Sequence, residues 1–340
     1  MTIEVIGITV LWIFLYGYLI VASIDFGAGF FSYYSMITGR KHLVHGIIER
    51  YLSPVWEVTN VFLIFFMVGM VGFFPDTAYY LGTALLIPGS IAIILLAIRG
   101  SYYAFSTYGG TKDNPLYMLL YGSSGLLIPA SLSIVLTISE GGFIQEQNGQ
   151  VILQYAKLFT SPYAWSVVLL SLVSILFISA SFLTYYADKA KDAAAMEVLR
   201  GFAVGWSAPT ILASLLVFFS IYKHSPWHFE GMLDIAWMFV LSFLCFLFAI
   251  YLIWNRRKLG LAFILVMLQF AFAFFGYGAA HLPYIIYPIV SIHESVTSPT
   301  MGVALIIAFI AGLLLLIPSL YLLMRLFLFN ASYVQGKTGK

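Results

Sequence analysis

Long apolar runs alternate with short polar breaks along this chain, and the length of the runs decides the class. About 20 apolar residues rising ~1.5 Å each span a bilayer core of ~30 Å. Nine runs qualify, at about 5–36, 54–74, 79–107, 116–138, 162–186, 199–222, 230–254, 259–284 and 301–329. Breakers stand between them: Ser53-Pro54, Phe74-Pro75-Asp76, Asn114-Pro115, Ser161-Pro162, Ser225-Pro226, Pro288 and Ser298-Pro299. Proline or asparagine ahead of an apolar run is a helix-start signal. The pattern predicts an all-α polytopic bundle of about nine transmembrane helices, forming one integral-membrane unit over residues 1–340. Several runs exceed one crossing, which implies tilt. No tandem repeat is visible, although eight of the helices are compatible with two four-helix units plus one. The longest outer segment, 139–161, reads as a short polar loop (Glu140, Gln145, Glu146, Gln147, Asn148).

Basic residues orient the bundle, because they concentrate in cytoplasmic loops. Of the 16 Lys and Arg residues, only Lys157 and Lys223 fall on one face. The other face receives Arg40, Lys41, Arg50, Lys112, Lys189, Lys191, Arg200, Arg256, Arg257, Lys258, Arg325, Lys337 and Lys340, with Arg99 toward the same side. The N-terminus is therefore outside and the C-terminus cytoplasmic. The first run has no basic segment before it and no cleavage site after it, so it reads as a span and not a signal peptide.

Composition supports the same class. Hydrophobic residues make up 62% and charged residues 9% of the 340, and mean hydropathy is +0.98. No soluble domain of this size keeps so much apolar surface out of water. A net charge of +2 gives no reason to expect nucleic acid. Cys245 is alone, so neither an internal disulfide nor a cysteine metal cluster is available.

The intramembrane polar groups carry the candidate chemistry. Asp25 is the one ionisable residue of the run Val5–Phe31, and a charge at bilayer depth costs at least ~2.5 kcal/mol on insertion scales. The topology puts Asp25 in the cytoplasmic half, level with Glu57 near the start of span 2 and Arg99 near the end of span 3. Thr59 and Asn60 follow Glu57 within a turn and can hydrogen-bond a carboxylate or a water file. Asp25, Glu57, Asn60 and Arg99 are the proton-pathway candidates, with Ser23, Trp56 and Thr59 in support. The competing reading is a structural Asp25–Arg99 ion pair pinning spans 1 and 3, with Glu57 merely hydrated.

The histidines argue against haem ligation, which needs side chains within spans. His42 and His45 fall in a cytoplasmic loop, His224, His228 and His293 in outer loops, and His281 near the outer end of span 8. Met67, Met70 and Met267 read as packing, and no metal site is expected. The tyrosines Tyr16, Tyr18, Tyr33, Tyr34, Tyr79, Tyr80, Tyr102 and Tyr103 read mostly as an interface belt. Gly27, Gly29, Gly69, Gly72, Gly276 and Gly278 permit close helix contact.

Ile24-Asp25-Phe26-Gly27-Ala28-Gly29 in span 1, Pro54-Val55-Trp56-Glu57 opening span 2 and Arg99-Gly100 in span 3 resemble subunit II of cytochrome bd-type quinol oxidases. The likeness extends over essentially the whole chain. It implies a haem-free subunit of a terminal oxidase in a prokaryotic cytoplasmic membrane. Haems b and d would sit in a partner subunit I, quinol would be oxidised, and dioxygen reduced to water with cytoplasmic protons. Small single-span subunits are further candidate partners. The sequence departs from the family pattern at Asn60, where a second acid is usual, at Phe62 in place of a tryptophan, and at Tyr103-Ala104-Phe105, where an acid often follows the arginine. These departures favour Asp25 over Glu57 as a proton-entry group. Two other classes stay open on the residues alone: a secondary transporter using Asp25 as coupling carboxylate, and a purely structural membrane subunit.

Overall fold

The computed structural model describes residues 2–108, 114–147, 150–328 and 335, and their side chains except at 41, 51–58, 106–108, 327 and 328. Eight helices are long and apolar enough to cross a membrane, among the residues described. They are α1 (Ile3–Ile37), α4 (Leu86–Tyr108), α5 (Pro115–Leu132), α8 (Pro162–Lys189), α9 (Ala193–His224), α11 (Ala236–Trp254), α12 (Leu259–His281) and α13 (Pro299–Leu323). The expected span 2 corresponds to α2 (Lys41–Phe73), whose described apolar stretch is Thr59–Phe73. Contrary to the expected start at Pro54, α2 begins at Lys41 and runs through Ser53-Pro54 unbroken. Glu57 thus lies some four turns inside its helix, not at its entrance. A helix-internal proline is tolerated where membrane neighbours resatisfy the freed carbonyl.

Two expected spans are also divided. The run 79–107 breaks at Leu85 into α3 (Pro75–Ala84) and α4, and the run 230–254 breaks at Ile235 into α10 (Pro226–Asp234) and α11. These breaks reveal a repeat that the sequence does not display. A long pair (α1, α2) leads to a short proline-headed helix (α3) and a second pair (α4, α5); then α8, α9, α10, α11 and α12 follow the same plan. Phe74 ends α2 at φ −132°, ψ 71°, and Ser225 ends α9 at φ −133°, ψ 73°. Each precedes a proline, whose ring disfavours the helical region for its predecessor, and each proline then opens the next helix without a lost donor. The two groups of four spans meet where α1 packs against α8, and α13 lies against α1 and α2.

The outer segment is folded, not a polar loop. It forms α6 (Ile134–Ser139), the hairpin β1 (Ile144–Gln147) and β2 (Gln150–Leu153), and α7 (Tyr155–Thr160). β2 alternates exposed and buried positions, so Val151 and Leu153 join Phe143 and Leu158 in a core under the hairpin. A second hairpin, β3 (Tyr284–Ile286) with β4 (Val290–Ser291), follows α12.

On the cytoplasmic side α8 and α9 are joined by a tight turn. Asp192 caps α9 by accepting a hydrogen bond from Ala195 N at 3.0 Å. Replacing Asp192 with Ala should lower stability by about 1 kcal/mol, the usual value of such a cap. Thermal melting of the detergent-solubilised protein measures it.

Candidate functional site

Residues 22–29 of α1 are buried without a break, because this stretch is enclosed by α5 on one side and α8 on the other. Small residues make the approach possible. A Cβ at Gly125 would collide with the Phe26 carbonyl, and one at Gly27 would meet Ser179 and lie 2.9 Å from the Ile175 carbonyl. Ser179 Oγ donates to the Ile24 carbonyl at 2.9 Å. Asp25, 4% exposed, is held in this packed layer.

Arg99 of α4 meets it side-on. Nε donates to Asp25 Oδ2 at 2.9 Å and Nη2 to Oδ1 at 3.0 Å. Nη2 also donates to the Asp25 carbonyl at 2.5 Å, and Nη1 to the Tyr121 carbonyl at 3.0 Å. The guanidinium lies 4.1 Å over the Tyr121 ring and 5.2 Å from the Phe26 ring centre, where aromatic faces stabilise a cation. A Cβ at Gly29 would press on Nη1 at 2.9 Å, so the glycine leaves room for the arginine head. Two further hydroxyls complete the group. Tyr103 donates to Asp25 Oδ1 at 2.5 Å, and its oxygen lies 3.1 Å from the Tyr121 hydroxyl. Tyr102 stacks on Tyr121 with centroids 4.3 Å apart.

The ion pair weighed from the sequence is therefore present, bidentate and buried. Tyr102 and Tyr103 depart from the expected interface belt: both are buried inside the bundle. Tyr103, the first residue of the stretch Tyr103-Ala104-Phe105 that follows the arginine without an acid, supplies a hydroxyl to Asp25. Tyr121 gave no signal in the sequence, since one tyrosine in an apolar run looks like any other.

Among the candidates whose side chains are described, none besides Arg99 hydrogen-bonds the Asp25 carboxylate. Ser23 and Thr59 are buried, and Asn60 is half-buried. The side chains of Glu57 and Trp56 lie outside the described residues. α1 and α2 run antiparallel, with Gly7 against Phe73 and Gly17 against Phe62. That register sets the backbone of Glu57 at the depth of Ser23, close to the level of Asp25.

Comparison with known proteins decides the family. A sequence profile described as "Cytochrome bd terminal oxidase subunit II" matches residues 3–327. This chain belongs to that family. It is 34% identical over 340 residues to a Bacillus subtilis (strain 168) protein named "Putative cytochrome bd menaquinol oxidase subunit II", covering 97% of each chain. It also matches a chain in the solved structure of bd oxidase from Geobacillus thermodenitrificans at 62% identity. There the TM-score is 0.85, with 97% of this chain and 100% of the other covered. The chain is thus subunit II of a cytochrome bd quinol oxidase, a multi-pass membrane component of a terminal oxidase complex that contains haem and a partner subunit.

The histidines of this family member do not fit a haem. His42 is exposed in the first turn of α2, and His45 lies 3.3 Å from Ser32 Oγ. His224 is stacked between Phe143 and Tyr163 at 5.2 and 4.8 Å, and His293 faces Glu4 at 3.7 Å. His228 and His281 lie together, but their ring centroids are 5.0 Å apart at 83°, with Trp227 packed against both. A porphyrin has no room between them.

Those two rings are nevertheless the largest surprise relative to the sequence. His228, expected in an outer loop, is in α10 and wholly buried, and it contacts Glu140, expected in a polar loop and equally enclosed. Burial raises the Glu140 carboxyl, but the His228 hydrogen bond and the adjacent imidazoles outweigh it, so the group lies below its ordinary value.

Proposed function

We propose that this chain is the haem-free subunit of its oxidase, packed beside a haem-carrying subunit I that holds haems b and d. What carries the reading is the setting of the two histidines that lie together, His228 and His281, whose rings cross at 83° with Trp227 packed against both and leave no room for a porphyrin. In the complex, every His variant of this chain that assembles should keep the haem b and d difference bands at full intensity. Loss of one band in any assembled variant overturns it. The name of the Bacillus subtilis relative supports menaquinol as the quinol oxidised by the complex.

Within that role, the Asp25–Arg99 pair is a clamp that locks α1, α4 and α5 together in the cytoplasmic half. Its ligands are all donors: Arg99 twice and Tyr103 once on the carboxylate. Oδ1 accepts two of these bonds and Oδ2 one, so a proton reaching Asp25 must compete with the guanidinium for the carboxylate charge. The hydroxyl pair of Tyr103 and Tyr121 favours a second reading, in which protons approach the carboxylate through Tyr103. Tyr103→Phe separates the two. As a clamp contact alone, the loss of a hydrogen bond to a charged group costs about 1.5–3 kcal/mol of stability, with oxygen consumption unchanged. As a proton contact, oxygen consumption falls several-fold and the fall deepens as pH rises, with haem content intact.

A further inference from the structure

The outer end of the second group of helices holds a cluster that neither the oxidase role nor the clamp uses. Glu140 follows α6, His228 sits in α10 and His281 ends α12. His228 Nδ1 lies 2.6 Å and His281 Nε2 3.9 Å from Glu140 Oε1, and the Tyr277 hydroxyl donates to the same oxygen. The opposite nitrogens are committed elsewhere. His228 Nε2 lies 3.0 Å from the Tyr277 carbonyl, and His281 Nδ1 lies 2.8 Å from the Tyr284 carbonyl. A carbonyl only accepts, so each of those nitrogens carries its hydrogen and donates it.

In neutral rings that assignment leaves two lone pairs, on His228 Nδ1 and His281 Nε2, both directed at oxygen acceptors. One faces the Glu140 carboxylate. The other faces the Ser139 carbonyl at 3.2 Å. Acceptors face acceptors in a buried site only across a cation, which here is either a second ring proton, making the imidazole an imidazolium, or a metal ion. A second observation is independent of the rings: Glu140 Oε2 is buried with no hydrogen-bond partner among the described residues. An orphaned carboxylate oxygen in an enclosed site is expensive.

We propose that Glu140, His228 and His281 bind one zinc-type divalent ion, with the Ser139 carbonyl as the nearest fourth donor. The donor set of two imidazoles and a carboxylate suits that class of metal. The two backbone carbonyls are the outer contacts that fix tautomer and ring orientation in metal-bound histidines. Tetrahedral bonds of about 2.0 Å set ligand atoms about 3.3 Å apart, and the spacings of 2.6 and 3.9 Å bracket that value. All three ligand atoms lie within 4.8 Å of one another. Trp227 and Tyr277 wall the site with their rings, keeping water out. The ion staples α6, α10 and α12, elements otherwise joined only by packing and a few hydrogen bonds.

The test uses the purified complete oxidase from cells grown with zinc, dialysed against a weak chelator. Elemental analysis should give about one zinc per copy of this chain. Zinc K-edge absorption should give a first shell of nitrogen and oxygen at about 2.0 Å with scattering from two imidazoles. In a His228→Ala/His281→Ala variant this zinc should be lost, while haem content, if the variant assembles, is unchanged. Zinc below roughly a tenth of an equivalent in the unaltered complex overturns the proposal, and the cluster is then a proton-sharing ion pair. Zinc retained in the double variant, or a shell without imidazole, also overturns it; the absorption measurement needs no variant to fold.

Discussion

Asp25→Leu, with Arg99 left in place, is expected to be among the most damaging single substitutions in this protein. It removes the carboxylate but not the guanidinium, which is 2% exposed and loses both charged contacts. Breaking a buried pair by removing one partner costs about 3–5 kcal/mol, because the survivor remains uncompensated. Assembled complex, read as haem per milligram of membrane protein, should fall sharply. Removing both charges should behave differently. When a buried pair gives way to apolar residues of similar volume, the outcome is often neutral or stabilising by about 1–4 kcal/mol. Asp25→Leu combined with Arg99→Met should therefore recover most of the assembled complex. Oxygen consumption by that double variant then separates the two roles of Asp25. A clamp predicts turnover near the wild-type rate, whereas a proton-entry acid predicts an assembled but slow enzyme.

Gly125→Val should be comparably severe, for a reason of shape and not of charge. The added Cβ would collide with the carbonyl oxygen of Phe26, and backbone cannot rotate away as a side chain can. α5 would have to retreat from α1 directly beside Asp25, carrying the Tyr121 carbonyl away from Arg99. Overpacking costs about 1–3 kcal/mol and sometimes more, and here the clamp geometry is lost with it. Gly125→Ala should show the same effect in weaker form. Gly100 provides the control: its Cβ position is open, and it lies within α4. Gly100→Ala should be neutral or stabilising by up to about 1 kcal/mol through helix propensity. The order Gly125→Val, Gly125→Ala, Gly100→Ala in midpoint of thermal inactivation checks the argument; equal effects at Gly125 and Gly100 contradict it.

Much of this protein was legible before folding. Runs of apolar residues must be buried in lipid or protein wherever they lie, so class and approximate spans follow from hydropathy alone. X-Pro steps mark helix ends through local sterics, which is why Phe74-Pro75 and Ser225-Pro226 were readable as breaks. Pro54 was misread because a membrane helix can absorb a proline that an isolated helix cannot. The breaks at Leu85 and Ile235 have no X-Pro step at the break itself, and the single charge of Asp234 beside Ile235 does not mark one. The chain turns there because α3 and α10 pack against the outer cap, a property of neighbours and not of the residues themselves. The hairpin at 144–153 was hidden for a related reason: its alternation covers too few positions to stand out from a polar loop.

Hydropathy and loop charge alone place one carboxylate, Asp25, within a membrane span and toward the cytoplasmic side. Both follow from transfer energies and loop charge, which are properties of single residues and their near neighbours. Folding is what brings Arg99, 74 positions away, onto that carboxylate and adds the hydroxyl of Tyr103. It also brings Glu140 to His228, 88 positions on, and near His281. Such pairings depend on how each helix is rotated about its axis. That rotation is set where Gly27 and Gly125 let backbones touch, and hydropathy along a line does not record it.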